Sequence, residues 1–218
     1  MTPRHLITLF SATCFSMLLM AQPKTGSIPD DIFYLMPEFG DGVVFFQGQP
    51  PAQGKLNICA VDNTLRFIDD SGQELEAEST DNIVMVQIGQ VYFLHNSDGF
   101  FRKYPVTANM GVAYQRSIRI LRGAKRGAYG VVDQTSSIRQ YSSIQAEGGT
   151  YKLSTEEPYE EDESISLYIG NTVIPMTRRS LRKMFPSRAD EINAWFKSGH
   201  SMPKTVEEAQ NMLSQWAN

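Results

Sequence analysis

Between Gly42 and Arg122 the chain repeats short apolar segments separated by turn signals, with no helical period anywhere between them. This pattern admits few folds. In GKLNICAVDNTLRFIDDSGQELEAE, Leu56, Ile58 and Ala60 share one parity, Asp62-Asn63-Thr64 makes a turn, and Leu65 with Phe67 resumes, so the segment reads as a hairpin. Asp69-Asp70-Ser71-Gly72 is a type I turn with glycine at its left-handed end. Leu75 and Ala77 then alternate with Glu74, Glu76 and Glu78, a strand with one wet face expected near a sheet edge. Val43 to Gln47, the first strand, is apolar enough to be buried on both faces, and Ile83 to Val86 should lie centrally. Gly89-Gln90 joins Ile88 to Val91, and Asn96-Ser97-Asp98-Gly99 precedes Phe100-Phe101 and Tyr104. Val112, Tyr114, Ile118 and Ile120 close the series on one parity. The fold class expected is mainly β: an antiparallel meander, as a curled sheet or small barrel, and not a parallel α/β fold.

The remainder divides at composition shifts. Residues 22–41, with Pro23, Pro29 and Pro37, read as an extended lead-in, and 42–176 as the β domain. Gly123 to Gly149 is rich in Gly, Ser and Gln and reads as a flexible crossing within that domain. Tyr151–Ser154 and Ser164–Met176 are expected to be a strand pair, joined by a solvated acidic loop carrying Glu156, Glu157, Glu160, Glu161, Asp162 and Glu163. Residues 177–218 form a helical tail. Thr177 caps a short turn stopped before Pro186, and Ser187 starts a helix with apolar Ala189, Ile192, Trp195 and Phe196. Thr205 with Glu208 is a capping box ahead of Val206, Ala209, Met212, Leu213 and Trp216.

Residues 1–21 have the form of a signal peptide: Arg4 and His5, an apolar run from Leu6 to Met20, and a cleavage point at Ala21-Gln22. That run is short of the roughly 20 residues a stable span needs, so no transmembrane span is expected in the mature chain. Cys14 leaves with the leader, Cys59 remains alone, and no intramolecular disulfide can form. With 41% hydrophobic and 20% charged residues, the 218-residue chain is composed like a globular protein able to stand on its core alone. A net charge of −4 argues against nucleic acid as a partner, since binding to phosphates usually needs many Lys and Arg contacts.

The order of GKLNICAVDNTLRFIDDSGQELEAE, VQIGQVYFLH, YKL, SLYIG and LRKMFPSRADEINAWFKSG resembles an uncharacterised family of exported β-rich proteins from Bacteroidota-type Gram-negative bacteria. The resemblance covers most of the mature chain and implies an envelope location. It carries no activity to any residue.

No catalytic signature stands out. The mature histidines, His95 and His200, lack the short internal spacings of a zinc site, and no cofactor motif is present. Cys59 with His95 could supply a thiol and a base if they met across the sheet, although a thiol in an apolar strand reads first as a small buried hydrophobe. Ser180-Leu181-Arg182-Lys183 matches S-x-x-K, but S-D-N is absent and Lys24-Thr25-Gly26 lies in the wrong order. Gly123, Gly127 and Gly130 lack the Lys-Ser/Thr of a phosphate loop.

Two features remain as candidate surfaces. Basic residues cluster at Arg116, Arg119 and Arg122, with Lys125 and Arg126, and at Arg178, Arg179, Arg182 and Lys183, with Arg188. Either group is an ordinary solvated face or a site for an anionic partner. Phe100, Phe101 and Tyr104 either pack in the core or line a ligand pocket. The expectation is a non-enzymatic interaction or ligand-binding module, periplasmic or secreted or outer-membrane associated, whose partner is an envelope protein, lipid or glycan. Its rivals are a hydrolase of unfamiliar type using dispersed carboxylates and an accessory of an outer-membrane assembly.

Overall fold

The computed structural model describes residues 24–25, 33–120 and 158–217. The expected leader, residues 22–23 and 26–32 of the lead-in segment, Arg122, the Gly123–Gly149 crossing and the Tyr151–Ser154 strand lie outside the described residues.

The protein is mainly β. Eleven strands are described: β1 Lys24–Thr25, β2 Gly40–Phe46, β3 Ala52–Ile58, β4 Leu65–Ile68, β5 Glu74–Glu76, β6 Ile83–Ile88, β7 Val91–Asn96, β8 Gly99–Pro105, β9 Met110–Ile120, β10 Pro158–Ile169 and β11 Thr172–Pro175. They form one antiparallel sheet in the order β1-β10-β9-β8-β7-β6-β2-β3-β4-β5, with β11 on the same edge of β10 as β1. The expected meander is therefore two meanders, β2 to β5 and β6 to β10, joined where β6 pairs with β2 instead of with β5. In the tail three helices are described, α1 Arg178–Met184, α2 Ala189–Lys197 and α3 Val206–Ala217, with a 3-10 turn at Pro186–Arg188.

Local chemistry explains the turns. Asp69 Oδ1 accepts from Ser71 N, Ser71 Oγ and Gln73 N, and Gly72 takes the left-handed φ of 83° that closes the β4–β5 hairpin. Gly42 is required by close approach: a Cβ there would stand 2.4 Å from the Gln87 carbonyl oxygen and 2.9 Å from Leu56 Cδ1. Leu56 uses that space to enter the core.

The sheet curls without closing. β3 and β9 are separated by four strands in the sheet, yet Ile118 N donates to the carbonyl of Ala60, just beyond β3, at 2.7 Å. Inside the curl lie Val44, Leu56, Ile58, Leu65, Val86, Phe93 and Phe100. Truncating one of the large members, Phe93→Ala for example, is expected to cost about 3–5 kcal/mol, because the surrounding side chains relax only partly into the cavity. A second core lies where α3 crosses β8 and β9. There Val112 and Leu167 meet Leu181, Phe185, Ile192, Met212, Leu213 and Trp216. The opposite face is covered as well, by Leu94, Phe101, Ala113 and Tyr168 with Val173 of β11.

Two sequence expectations need correction. Glu160, Glu161, Asp162 and Glu163 are not a loop: they sit in β10, opposite Arg119, Ile118, Ser117 and Arg116 of β9. Cross-strand attraction to arginine makes a strand of a run that looks solvated when read alone. Ser187 does not cap α2, whose N-cap is Arg188 without a side-chain bond, since Pro186 opens a 3-10 turn first. The other caps are as expected. Ser180 N donates to Thr177 Oγ1 at 3.0 Å, and Glu208 N donates to Thr205 Oγ1 at 3.1 Å.

Candidate functional site

The interior polar groups converge where the chain at 33–36 docks on the β3–β4 hairpin. Arg66 is 1% exposed and its guanidinium binds Asp62, with Nη1 3.0 Å from Glu76 Oε2. Asp62 also accepts from Thr64 N at 3.1 Å and Thr64 Oγ1 at 2.6 Å. The Tyr34 hydroxyl donates to Glu74 at 2.7 Å, and burial together with that carboxylate pushes its ionisation far above the ordinary phenol range. Asn57, fully buried, accepts from Met36 N and Ile58 N and donates to the Met36 carbonyl. The Tyr34 carbonyl in turn accepts from Arg116 at 2.6 Å. These bonds satisfy buried donors and acceptors and staple the segment to the sheet. They are spent on structure.

The thiol and base do not form a pair. Cys59 is fully buried, bridged through its backbone to Tyr34, and burial pushes its ionisation up to about 12. It stays a thiol at neutral pH, unsuited to nucleophilic attack. His95 Nδ1 donates to the Ile83 carbonyl at 3.2 Å and its ring lies 4.5 Å from that of Phe100. Burial lowers its ionisation below the usual imidazole value. No hydrogen bond joins it to Cys59.

S-x-x-K is likewise structural: Ser180 Oγ donates to the Pro175 carbonyl at 2.7 Å and lies 2.6 Å from Thr177 Oγ1, which consumes the hydroxyl in capping. Phe100 and Phe101 do not line a pocket. As neighbours in a strand they point to opposite faces, and both faces are covered. Tyr104, half-buried, packs against the helical core with Arg102 over its ring.

The two basic groups part company. Arg119 reaches Asp162 through Nε at 3.0 Å and Nη2 at 2.7 Å and also Glu160 at 3.2 Å, while Arg116 holds Tyr34. This pair belongs to the sheet, and Arg122 lies outside the described residues. On α1, by contrast, Arg178, Arg179, Arg182 and Lys183 are all exposed, and no acidic residue occupies its first turn. Arg178 bonds Asn193 through Nε at 3.0 Å and Nη2 at 2.7 Å and lies over the Phe196 ring. Among the described residues, none of the four forms an ion pair with a carboxylate.

The geometry of α1 makes this arrangement costly. At 100° per residue the four cations occupy one arc, opposite Leu181 and Met184, which face the core. Arg178–Arg182 and Arg179–Lys183 are like-charge pairs at i,i+4, and Arg179–Arg182 at i,i+3. Each costs roughly 0.2–0.5 kcal/mol. Arg178 and Arg179 also stand at the positive end of the helix dipole, where a cation is unfavourable by about 0.3–1 kcal/mol.

Two clefts lie among the described residues. One, of about 600 Å³, is an open polar trough over β6, β2, β3 and β4 with Asp41, Lys55, Asp70 and Gln87 on its walls. The other, of about 480 Å³, lies between the end of α2 and the face of α3. Trp195 and His200 line it, their rings stacked at 4.4 Å and 15°, together with Met202 and Met212. Sequence reasoning treated Trp195 and Met212 only as core. His200 and Met202, two apart in the loop between α2 and α3, were the available signal.

Among the described residues no helix is long and apolar enough to cross a membrane. No family model, curated protein or solved structure matches this chain.

Proposed function

We propose that the protein is a non-enzymatic, peripheral binding module that docks the basic face of α1 on an anionic lipid surface. The carrying observation is the set of four exposed cations on one short helix, without a carboxylate partner among the described residues, held against their mutual repulsion and against the helix dipole. A face that costs stability, and of which Arg178 alone is described as bonding a neighbour, Asn193, is explained by a partner that neutralises it. The shape of the face favours lipid over protein. Leu75, Tyr92 and Ile169 are the large apolar side chains most exposed among the described residues, and none lies on a helix, so α1 lacks the apolar anchor around which protein interfaces concentrate their energy. Near an anionic bilayer each Lys or Arg is worth about 1 kcal/mol, so four together give a reversible, salt-sensitive attachment. The leader-like start of the sequence supports export, which makes the periplasmic or outer-membrane surface the proposed place of action.

Co-sedimentation with vesicles tests the reading. Wild-type protein should pellet with vesicles containing phosphatidylglycerol at low salt, stay in solution with pure phosphatidylcholine, and detach in 0.5 M salt. Arg179→Glu with Arg182→Glu should abolish the pelleting. Equal binding by that variant, or equal binding to neutral vesicles, would refute the proposal.

A further inference from the structure

We infer that the cleft between α2 and α3 is a binding site for a soft monovalent metal ion, Cu(I) or its analogue Ag(I). His200 Nε2 and the thioethers of Met202 and Met212 are the ligands, and the site stands independently of the basic face of α1.

The inference begins with the imidazole. His200 Nδ1 lies 2.9 Å from the Trp195 carbonyl oxygen and 2.9 Å from Ser198 Oγ. A carbonyl only accepts, so Nδ1 carries the proton. The Ser198 hydroxyl donates to the same carbonyl at 2.7 Å, so it too can only accept from Nδ1. With Nδ1 committed twice, the lone pair of the neutral ring resides on Nε2. A ring nitrogen fixed on a backbone carbonyl is the support a metal-binding histidine characteristically has, because it sets the tautomer and the orientation of the other nitrogen. Stacking on Trp195 at 4.4 Å holds the plane of a ring that is otherwise exposed.

The other donors determine which metal. His200 and Met202 are two apart in a segment without helical structure, and both side chains line the cleft, with Met212 of α3 as a further wall. Nowhere among the described residues do three His, Cys, Asp or Glu side chains gather, so hard cations and zinc find no donor set. One imidazole and two thioethers are a soft set, which selects Cu(I) over the divalent ions. The Glu208 carboxylate, which accepts from the Lys204 backbone N–H at 2.8 Å, also lines the cleft.

The test uses the full chain carrying Cys14→Ser and Cys59→Ala, so that thiols do not compete, with ¹³C-methyl methionine and ¹⁵N histidine labels, titrated with silver nitrate in chloride-free buffer. One equivalent should move the Met202 and Met212 methyl resonances and the His200 Nε2 resonance together, and quench tryptophan fluorescence. Met202→Leu, which conserves volume and leaves the fold intact, should weaken Ag(I) binding by about 10- to 100-fold, with Cu(I) following when competed against a chelator. Methionine resonances that stay still under Ag(I) would overturn the inference. So would Zn(II) binding at His200 as tightly as Ag(I) with both thioethers silent, or unchanged affinity in Met202→Leu.

Discussion

Replacing Arg179 by glutamate should make the folded protein more stable. In the wild-type helix Arg179 faces Arg182 at i+3 and Lys183 at i+4, both like-charged and exposed. Reversing its sign turns two repulsions of roughly 0.2–0.5 kcal/mol into attractions of similar size, a swing of about 1 kcal/mol in all. It also places an anion where the helix dipole favours one, in a first turn that has no acidic residue, adding roughly 0.6 kcal/mol at the low end of the range. Allowing for solvent screening, the gain is about 1–2 kcal/mol. In a chain of this size each kcal/mol moves Tm by roughly 2–4 °C, so the melting temperature should rise by about 2–8 °C. Circular dichroism melts in 20 mM salt measure it. Arg179→Gln should recover about half, and 0.5 M salt should shrink both effects. A glutamate variant that melts at or below the wild-type temperature in low salt would refute the reasoning, since Arg179 would then be holding the fold together.

Three further outcomes follow from the buried groups. Asp62→Ala takes from the buried Arg66 guanidinium its closest carboxylate, leaving the partly exposed Glu76 across from it, and should cost about 3–5 kcal/mol in urea melts, most of it recovered by adding Arg66→Met. Cys59, fully buried with its ionisation at about 12, should not react with a disulfide reagent at pH 8 in the folded Cys14→Ser chain and should react at once in denaturant. His95, whose folded ionisation lies below its ordinary 6.5, binds protons more readily when unfolded. Its contribution is therefore complete above pH 6.5 and is lost as the pH falls toward the folded value, so His95→Gln should flatten stability between pH 7 and pH 5.

Local patterns carried the fold class a long way. Period-two parity at Leu56, Ile58 and Leu65 placed those side chains in the core, and the Asp69 and Thr205 motifs behave as their chemistry requires. What sequence could not supply was pairing at a distance. Nothing in Ile83–Ile88 says that it joins β2 and not β5, and nothing in Glu160–Glu163 says that Arg119 waits across the ladder. The same gap separates the candidate surfaces. Density alone singled out both basic groups, yet only the fold distinguishes Arg119, consumed by Asp162, from the α1 cations, which face solvent. Phe100 and Phe101 show the converse: a double aromatic suggests a pocket until both faces of its strand prove covered. The cleft of Trp195, His200 and Met202 depends on α3 crossing to meet the end of α2, a contact no local window contains.

Amide hydrogen exchange with and without anionic vesicles locates the docking surface directly. Backbone amides of Arg178 to Phe185 should exchange more slowly when phosphatidylglycerol vesicles are added at low salt, while those of β4 and β5 at the far edge of the sheet stay unchanged. Protection confined to the sheet, or absent from α1 while the protein is bound, would contradict the account.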